Sequence, residues 1–380
     1  MKTNRTKVPI YFFFVAVFLM LFYSQSVAAE KLKSDRSAKA APFIMDIALD
    51  SLDTPFLLDN EGHVWAFKKP LDREGLIRLP NLQNIKKIAP WIALDKDGRV
   101  FTWYFDKGTD WLGEYDLAAV YTKPQLVEGL NNITMIAYND AGRFVVVRDN
   151  KDILEWSMLR KRRFGMEGYT PIKKLCTREG VKAIDARGYG TLVLFRDGTI
   201  LGWGINEFRQ TRKEFVDQQI SFNAPGAVAV YLNNYHTVVL MEDGRALFWG
   251  GCSSGDARSA GKSILSSDGI VNGVTGSIKD VMAITMPEND NFYPNIFLKW
   301  DGSVWRVYPP IPPGINKIDC KSELSGKSWQ VRGMPIPAIA VREAEGIIIT
   351  LGSDHTLWAA TTGNYNNNKF NQININLKGE

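Results

Sequence analysis

A short apolar run, a tight turn and a tryptophan-bearing run recur in the same order seven times along this 380-residue chain, and no other feature narrows the choice of fold as far. The turns fall at Glu61-Gly62, Asp97-Gly98, Lys151-Asp152, Asp197-Gly198, Asp243-Gly244, Asp301-Gly302 and Asp354-His355, with a mean spacing of about 49 residues. Internal repeats of roughly 20 to 50 residues mean propellers, solenoids or arrays, because one unit alone is too small to bury its apolar face.

Each unit reads as a β-hairpin. An Asp-Gly pair between apolar runs favours a two-residue turn, since Gly tolerates positive φ and Asp bonds to nearby backbone. Lys151-Asp152 and Asp354-His355 lack the Gly, so strain or a different turn is expected there. Counting from the second turn residue, position +3 is Trp65, Phe101, Leu154, Leu201, Leu247, Trp305 and Trp358. Position +5 is Phe67, Trp103, Trp156, Trp203, Trp249, Val307 and Ala360. Side chains alternate across a strand, so both positions share one face and the tryptophan slides by two residues without changing sides. The other face is apolar as well, with Val64, Val100, Ile153, Ile200, Ala246, Val304 and Leu357 at position +2. A strand apolar on both faces must be covered on both, which radially stacked small sheets achieve. The tryptophans are therefore expected in the core.

Arg187-Gly188-Tyr189-Gly190-Thr191-Leu192-Val193-Leu194, followed by Asp197-Gly198-Thr199-Ile200-Leu201-Gly202-Trp203-Gly204-Ile205-Asn206 and Gln210, resembles the repeat of the regulator of chromosome condensation family. His236-Thr237-Val238-Val239-Leu240 with Asp243-Gly244 and Phe248-Trp249-Gly250 is a second close copy, and the other five units keep the turn and the apolar pattern. The resemblance implies an all-β chain, a seven-bladed β-propeller of four-stranded antiparallel blades, over residues 42–380. Fourth strands are expected at Leu76-Ile77-Arg78-Leu79, Pro124-Gln125-Leu126-Val127 and Pro171-Ile172-Lys173-Lys174. Phe370 to Leu377 reads as another such strand, completing the last blade or pairing with the first to close the ring.

Lys2, Arg5 and Lys7 precede an apolar stretch from Ile10 to Phe22, and Val27-Ala28-Ala29 supplies small residues at a cleavage point. Together these describe a signal peptide over residues 1–29, then a flexible polar tail over 30–41, and hence a secreted or periplasmic chain with no membrane span after cleavage. An uncleaved anchor is the competing reading, disfavoured because a crossing needs about 20 apolar residues. Loss of the three signal cations lowers the net charge from +5 to +2. That field is weak for a nucleic-acid binder, which shows a marked basic patch or stripe. The one basic run, Arg160-Lys161-Arg162-Arg163, is expected in a solvated loop between blades. The nuclear exchange-factor role known in the family does not suit an exported chain, because its small GTPase partner is intracellular.

No motif carries chemistry. Cys176, Cys252 and Cys320 have no CxxC spacing, which argues against a structural metal site and leaves one thiol over if a disulfide forms. Gly251-Cys252-Ser253-Ser254-Gly255 satisfies G-x-S-x-G, but the strand-to-helix elbow that motif needs is replaced by a Ser, Gly and Ala run. Gly261-Lys262-Ser263 lacks the first Gly of a phosphate loop, since position 256 is Asp. The three histidines, His63, His236 and His355, lie in repeat or turn positions without zinc spacing. Ser353 to Trp358 resembles the Asp box of sialidases in part, without its Gly. No catalytic residue, cofactor or metal is assigned.

What remains is a binding surface. The longest irregular stretches, residues 104–122, 251–277, 286–295 and 306–335, carry aromatics outside the repeat positions. Aromatic side chains in loops are favoured interface anchors because they bury much area at little entropy cost. Tyr104, Trp111, Tyr115, Tyr293, Tyr308 and Trp329 are therefore the candidate partner-binding residues, with packing over blade edges as the competing role. The expected function is a monomeric, non-enzymatic propeller that grips a protein partner with loops on one rim, similar to the secreted β-lactamase inhibitor of the same family. The alternative is binding or hydrolysis of cell-envelope or extracellular carbohydrate.

Overall fold

The computed structural model describes residues 41–49, 55–69, 74–104, 123–139, 142–160, 166–187, 190–204, 220–233, 236–250, 280–286, 295–308, 328–344, 347–361, 369–375 and 377. The expected signal peptide and nearly all of the polar tail lie outside them. Phe43–Glu380 is one compact unit, and among its described residues every regular element is a strand.

The strands form seven antiparallel sheets in sequence order. Blade 1 comprises Ile44–Leu49, Pro55–Asp59, Val64–Lys69 and Glu74–Arg78, and blade 2 comprises Ile85–Ala89, Ile92–Asp95, Val100–Thr102 and Gln125–Leu126. Blade 3 comprises Ile133–Asn139, Arg143–Arg148, Asp152–Arg160 and Lys173–Thr177, with Met166–Tyr169 as a fifth strand on the far half of its long third strand. Val181–Arg187, Gly190–Phe195, Thr199–Gly204 and Ile220–Asn223 make blade 4, and Ala227–Leu232, His236–Met241 and Ala246–Gly250 are the described strands of blade 5. Blade 6 has Val281–Thr285, Asn295–Lys299, Val304–Val307 and Ser328–Gln330; blade 7 has Ala338–Ala344, Ile347–Gly352, Leu357–Thr361 and Asn371–Ile373. The C-terminal strand thus completes the last blade. The first strands of neighbouring blades approach one another at six of the seven junctions, blade 7 against blade 1 included, and between blades 5 and 6 the second strand of blade 5 meets the first strand of blade 6, so the first strands are innermost and the ring is closed.

The apolar repeat positions fill the gaps between blades. At +2, Val64, Val100, Ile153 and Ile200 are fully buried, and at +5 Phe67, Trp103 and Trp156 are buried. Each core cluster spans neighbouring blades, and the seam between the last and first blades joins Ile44, Ile47 and Trp65 to Ile349, Leu351 and Leu357. Truncating one such large core side chain typically costs roughly 3 to 5 kcal/mol. Where the tryptophan sits at +3, its indole N–H donates to its own turn: Trp65 to Asp59 (2.9 Å), Trp305 to Ser303 (2.8 Å) and Trp358 to Thr356 (2.8 Å).

The turns differ from the two-residue expectation. In the glycine-bearing units only Gly takes positive φ, at 77° to 84°, and its amide donates to the residue three before it, as from Gly98 to Asp95 and Gly244 to Met241. The result is a three-residue loop, a type I turn closed by a left-handed residue. His355 takes the same place with φ 67°. In blade 3 the turn lies earlier than Lys151-Asp152: Asp149 and Asn150 both have positive φ, and Asp152 already belongs to the strand. Two consecutive left-handed residues satisfy the primed turn geometry without glycine.

These hairpins clip the ring together. The first loop amide of every hairpin donates to the carbonyl just before its own blade: Asn60 to Phe43, Lys96 to Asn84, Asp149 to Asn132, Arg196 to Gly180, Glu242 to Gly226, Trp300 to Asp280 and Ser353 to Pro337. The left-handed residue then offers its own carbonyl to the first amide of the next blade, from Gly62 to Ile85, Gly98 to Ile133, Asn150 to Val181, Gly244 to Val281 and Gly302 to Ala338, and at Gly198 to Ala224 in the link that leads into blade 5. At the seventh hairpin the direction reverses, with His355 Nδ1 donating to the carbonyl of Ile44 (2.9 Å) and its ring lying 4.0 Å from that of Phe43. A histidine at the glycine position therefore ties the last blade to the first.

At Gly198 two demands meet: φ is +84°, and a Cβ would stand 2.9 Å from the backbone of Ala224 and Pro225. Gly129 has the same φ region (+78°) with nothing within 4 Å. Left-handed backbone alone costs an L-residue roughly 1 to 2 kcal/mol. Gly198→Ala should therefore destabilise the chain by at least about 1 kcal/mol more than Gly129→Ala, measured by urea unfolding. Equal losses would contradict the clip.

Carboxylates at the turns make the ring acid-sensitive. Asp152 accepts from Thr177 Oγ1 (2.6 Å) and Arg148 (2.8 Å), with Lys174 at 3.7 Å. The Thr177 and Arg148 bonds hold its pKa down to about 2. Bonds from the residue two ahead also lower Asp197, Asp243, Asp301 and Asp354. A carboxyl with a depressed folded pKa contributes stability above its unfolded value, near 4, and loses it as pH falls through the folded value. The melting temperature should drop between about pH 4 and pH 2, less steeply in Asp152→Asn, and a flat profile over that range would contradict this assignment.

Candidate functional site

Antiparallel order sorts the connections onto two faces. Hairpins between second and third strands, and links into the next blade, share one face, here the hairpin face. Links from first to second and from third to fourth strands share the opposite, loop face. The stretches 104–122, 251–277, 286–295 and 306–335 each begin at or near the end of a first or third strand, so all four leave from the loop face. The basic run also starts there: Arg160 ends the third strand of blade 3, and Lys161, Arg162 and Arg163 lie outside the described residues.

Three of the candidate aromatics are described. Trp329, in the outer strand of blade 6, is 40% exposed, and Tyr308 beside it is 4% exposed. Their rings meet edge to face, 5.7 Å apart at 89°, so Tyr308 supports Trp329 from below and presents little surface of its own. Tyr104 follows the third strand of blade 2 and is partly exposed. It lies close enough to Tyr169 to raise that phenol's pKa, although burial is the larger cause, and Tyr169 donates to Thr102 Oγ1 (2.9 Å). Trp111, Tyr115 and Tyr293 lie outside the described residues.

The central channel is polar, and its polar groups are engaged by the ring itself. An innermost strand is a sheet edge with unpaired backbone groups, and side chains of the preceding blade satisfy them. Asp185 of blade 4 accepts from the amide of Leu232 in blade 5 (2.7 Å), and Thr285 of blade 6 accepts from the amide of Glu343 in blade 7 (3.2 Å). Lys182 donates to the carbonyl of Ala227 (2.7 Å), and Arg187 reaches past blade 5 to the carbonyl of Met286 in blade 6 (2.6 Å). Burial pushes the Tyr231 phenol up to about 12, opposed by a bond to the Ile284 backbone. Asp46 accepts from Lys87 (2.6 Å) and Arg342 (3.2 Å) in the two flanking blades. Among the described residues no group of three or more His, Cys, Asp or Glu is placed to hold a metal ion.

Three exposed apolar residues escaped the sequence argument: Trp300 (70% exposed), Met45 (54%) and Ile339 (43%). Trp300 did leave a signal. It occupies the first loop position of its hairpin, which the other units fill with Asn60, Lys96, Asp149, Arg196, Glu242 and Ser353. A polar position held once by tryptophan is conspicuous in a repeat.

Neither a protein-family model nor a curated protein sequence matches this chain. Among solved structures it is similar to human WBSCR16, at 14% identity over 84% of this chain and 88% of that one, with a TM-score of 0.53. It also matches yeast RCC1 (Prp20) bound to Kap60, at 13% identity over 88% of this chain and 76% of that one, with a TM-score of 0.48. Prp20p from Saccharomyces cerevisiae, solved in a study of its binding to Gsp1p and histones, matches at 13% identity over 88% and 78% with a TM-score of 0.47. At 14% identity the likeness to the human protein is one of fold, that of a repeat β-propeller.

Proposed function

We propose that this chain is a secreted or periplasmic, non-enzymatic scaffold that binds a protein partner through its loop face and so regulates or inhibits it. The observation that carries this reading is the asymmetry of the ring. Hairpins and blade links are short and tied by backbone bonds on one face, while every long connection leaves from the other. Variable loops on a rigid scaffold are the usual seat of recognition. Trp329, propped edge-on by Tyr308, is an aromatic anchor of the type that dominates interface energetics.

Export rests on Lys2, Arg5 and Lys7, the apolar stretch from Ile10 to Phe22, and Val27-Ala28-Ala29. Carbohydrate hydrolysis commonly requires a carboxylate pair beside the sugar. The channel carboxylates Asp46 and Asp185 are instead held by Lys87, Arg342 and the Leu232 amide, so these two do not supply such a pair.

The test is affinity capture from an extracytoplasmic fraction with the chain from residue 30 onward, repeated with Trp111→Ala and Trp329→Ala. The captured partner should bind Trp329→Ala at least tenfold more weakly, about 1.4 kcal/mol, with an unchanged melting temperature. Capture untouched by both substitutions would remove these loops as the anchor. A polysaccharide-array signal with no captured protein would reverse the ranking of the two readings.

A further inference from the structure

The hairpin face carries a second surface, independent of the loop-face reading. Every first strand has a β-bulge at its second residue: the ladder skips Met45, Lys86, Thr134, Lys182, Val228, Met282 and Ile339. A bulge re-aims the extra side chain and is a built feature of a sheet edge. Because first strands are innermost and begin at the hairpin face, these seven residues ring the mouth of the channel.

The ring of bulge residues is divided. Blades 5, 6, 7 and 1 supply Val228, Met282, Ile339 and Met45, an apolar arc that crosses the closing seam, with Ile339 and Met45 exposed and Val228 and Met282 half-buried against the cores between blades. Blades 2, 3 and 4 supply Lys86, Thr134 and Lys182, all exposed. Trp300 lies on the hairpin beside this arc: the same hairpin holds Gly302, whose missing Cβ would meet Pro337 at 2.4 Å, and Ala338 donates to the Gly302 carbonyl directly before Ile339. Three of the seven large apolar side chains exposed on the described residues, Trp300, Ile339 and Met45, therefore fall on the consecutive blades 6, 7 and 1 at this face. Gathered apolar exposure marks an interaction site, whereas scattered exposure does not. Asp46 near the same mouth is paired with Lys87 and Arg342, and the polar arc itself carries two cations, Lys86 and Lys182.

We propose that this mouth is a docking surface for a segment of a protein partner with aliphatic or aromatic side chains along one side and carboxylates along the other. The apolar side lies on Ile339, Met45 and Trp300, and the carboxylates face Lys86 and Lys182. Charge complementarity selects the acidic segment, and the curved border around an opening suits a chain segment better than a flat bilayer.

The test is a fluorescence-anisotropy titration with a short labelled peptide carrying Leu and Phe on one helical face and Glu on the other, beside a counterpart with Lys in place of Glu. The Glu peptide should bind saturably and the Lys peptide should not. Ile339→Asp and Trp300→Ala should each weaken binding at least tenfold, Lys86→Glu should weaken it as well, and added salt should weaken it further. All three residues are exposed, so melting temperatures should hold. Trp329→Ala on the opposite face should leave this binding unchanged, which separates failure here from failure of the loop-face reading. No saturation up to about millimolar peptide, or binding indifferent to Ile339→Asp, would overturn the proposal. Sedimentation with anionic vesicles that Trp300→Ala abolishes, or a dimer in light scattering that Ile339→Asp dissolves, would equally overturn it by assigning the surface to a membrane or to a second copy.

Discussion

The bond from the left-handed carbonyl of a hairpin to the first amide of the next blade, or from Gly198 to the link leading into it, couples modules that otherwise meet chiefly through side chains. It needs a residue with positive φ and, in most units, no Cβ, because the incoming backbone passes within about 3 Å of where one would be. Asp-Gly is thus required by the neighbour as much as by the turn. Blade 3 meets the conformational demand with Asp149 and Asn150, residues tolerant of left-handed backbone. Blade 7 has no blade after it in sequence, and there His355 uses its side chain to reach Ile44. One requirement, tying a blade to the next, accounts for the five regular turns and for both exceptions.

Fixing one face leaves the other free to vary. A connection on the hairpin face that lengthened would displace a bonded partner, whereas one on the loop face joins strand ends that no hairpin carbonyl clips. The channel follows from the same economy of backbone groups. Innermost strands are edges, and Asp185, Thr285 and Lys182 serve the next blade's edge in the way a ladder partner would. Charge in the channel is therefore architectural first, which moves the search for function to the two rims.

Much of the ring was legible in the sequence, because its determinants are local. The apolar +2 and +5 positions depend only on strand alternation, and the structure buries them wherever their burial is described. The fourth strands expected at Leu76 to Leu79, Pro124 to Val127 and Pro171 to Lys174 overlap the observed Glu74–Arg78, Gln125–Leu126 and Lys173–Thr177, the last only at its start. What was not legible depends on register. A loop of three residues and one of two are indistinguishable until the partner of Asp95 is known, and that partner is set by the clip to blade 3. The bulges are equally hidden, since skipping Met45 or Ile339 changes no residue type in the pattern. Trp329 was found by its position in a long connection, while Trp300 and Ile339 were passed over because they lie inside the repeat. The repeat was read as scaffold, and a scaffold position was assumed to be buried.

The most direct measurement of the account is amide hydrogen exchange at Ile85, Ile133, Val181, Val281 and Ala338, the amides that receive the hairpin carbonyls. They follow blade links, where an unclipped amide would exchange as a loop does. The clip predicts that all five exchange as slowly as the inner strands and open together with them. Fast, independent exchange at these amides, with the inner strands still protected, would show that the blades are held by side-chain packing alone.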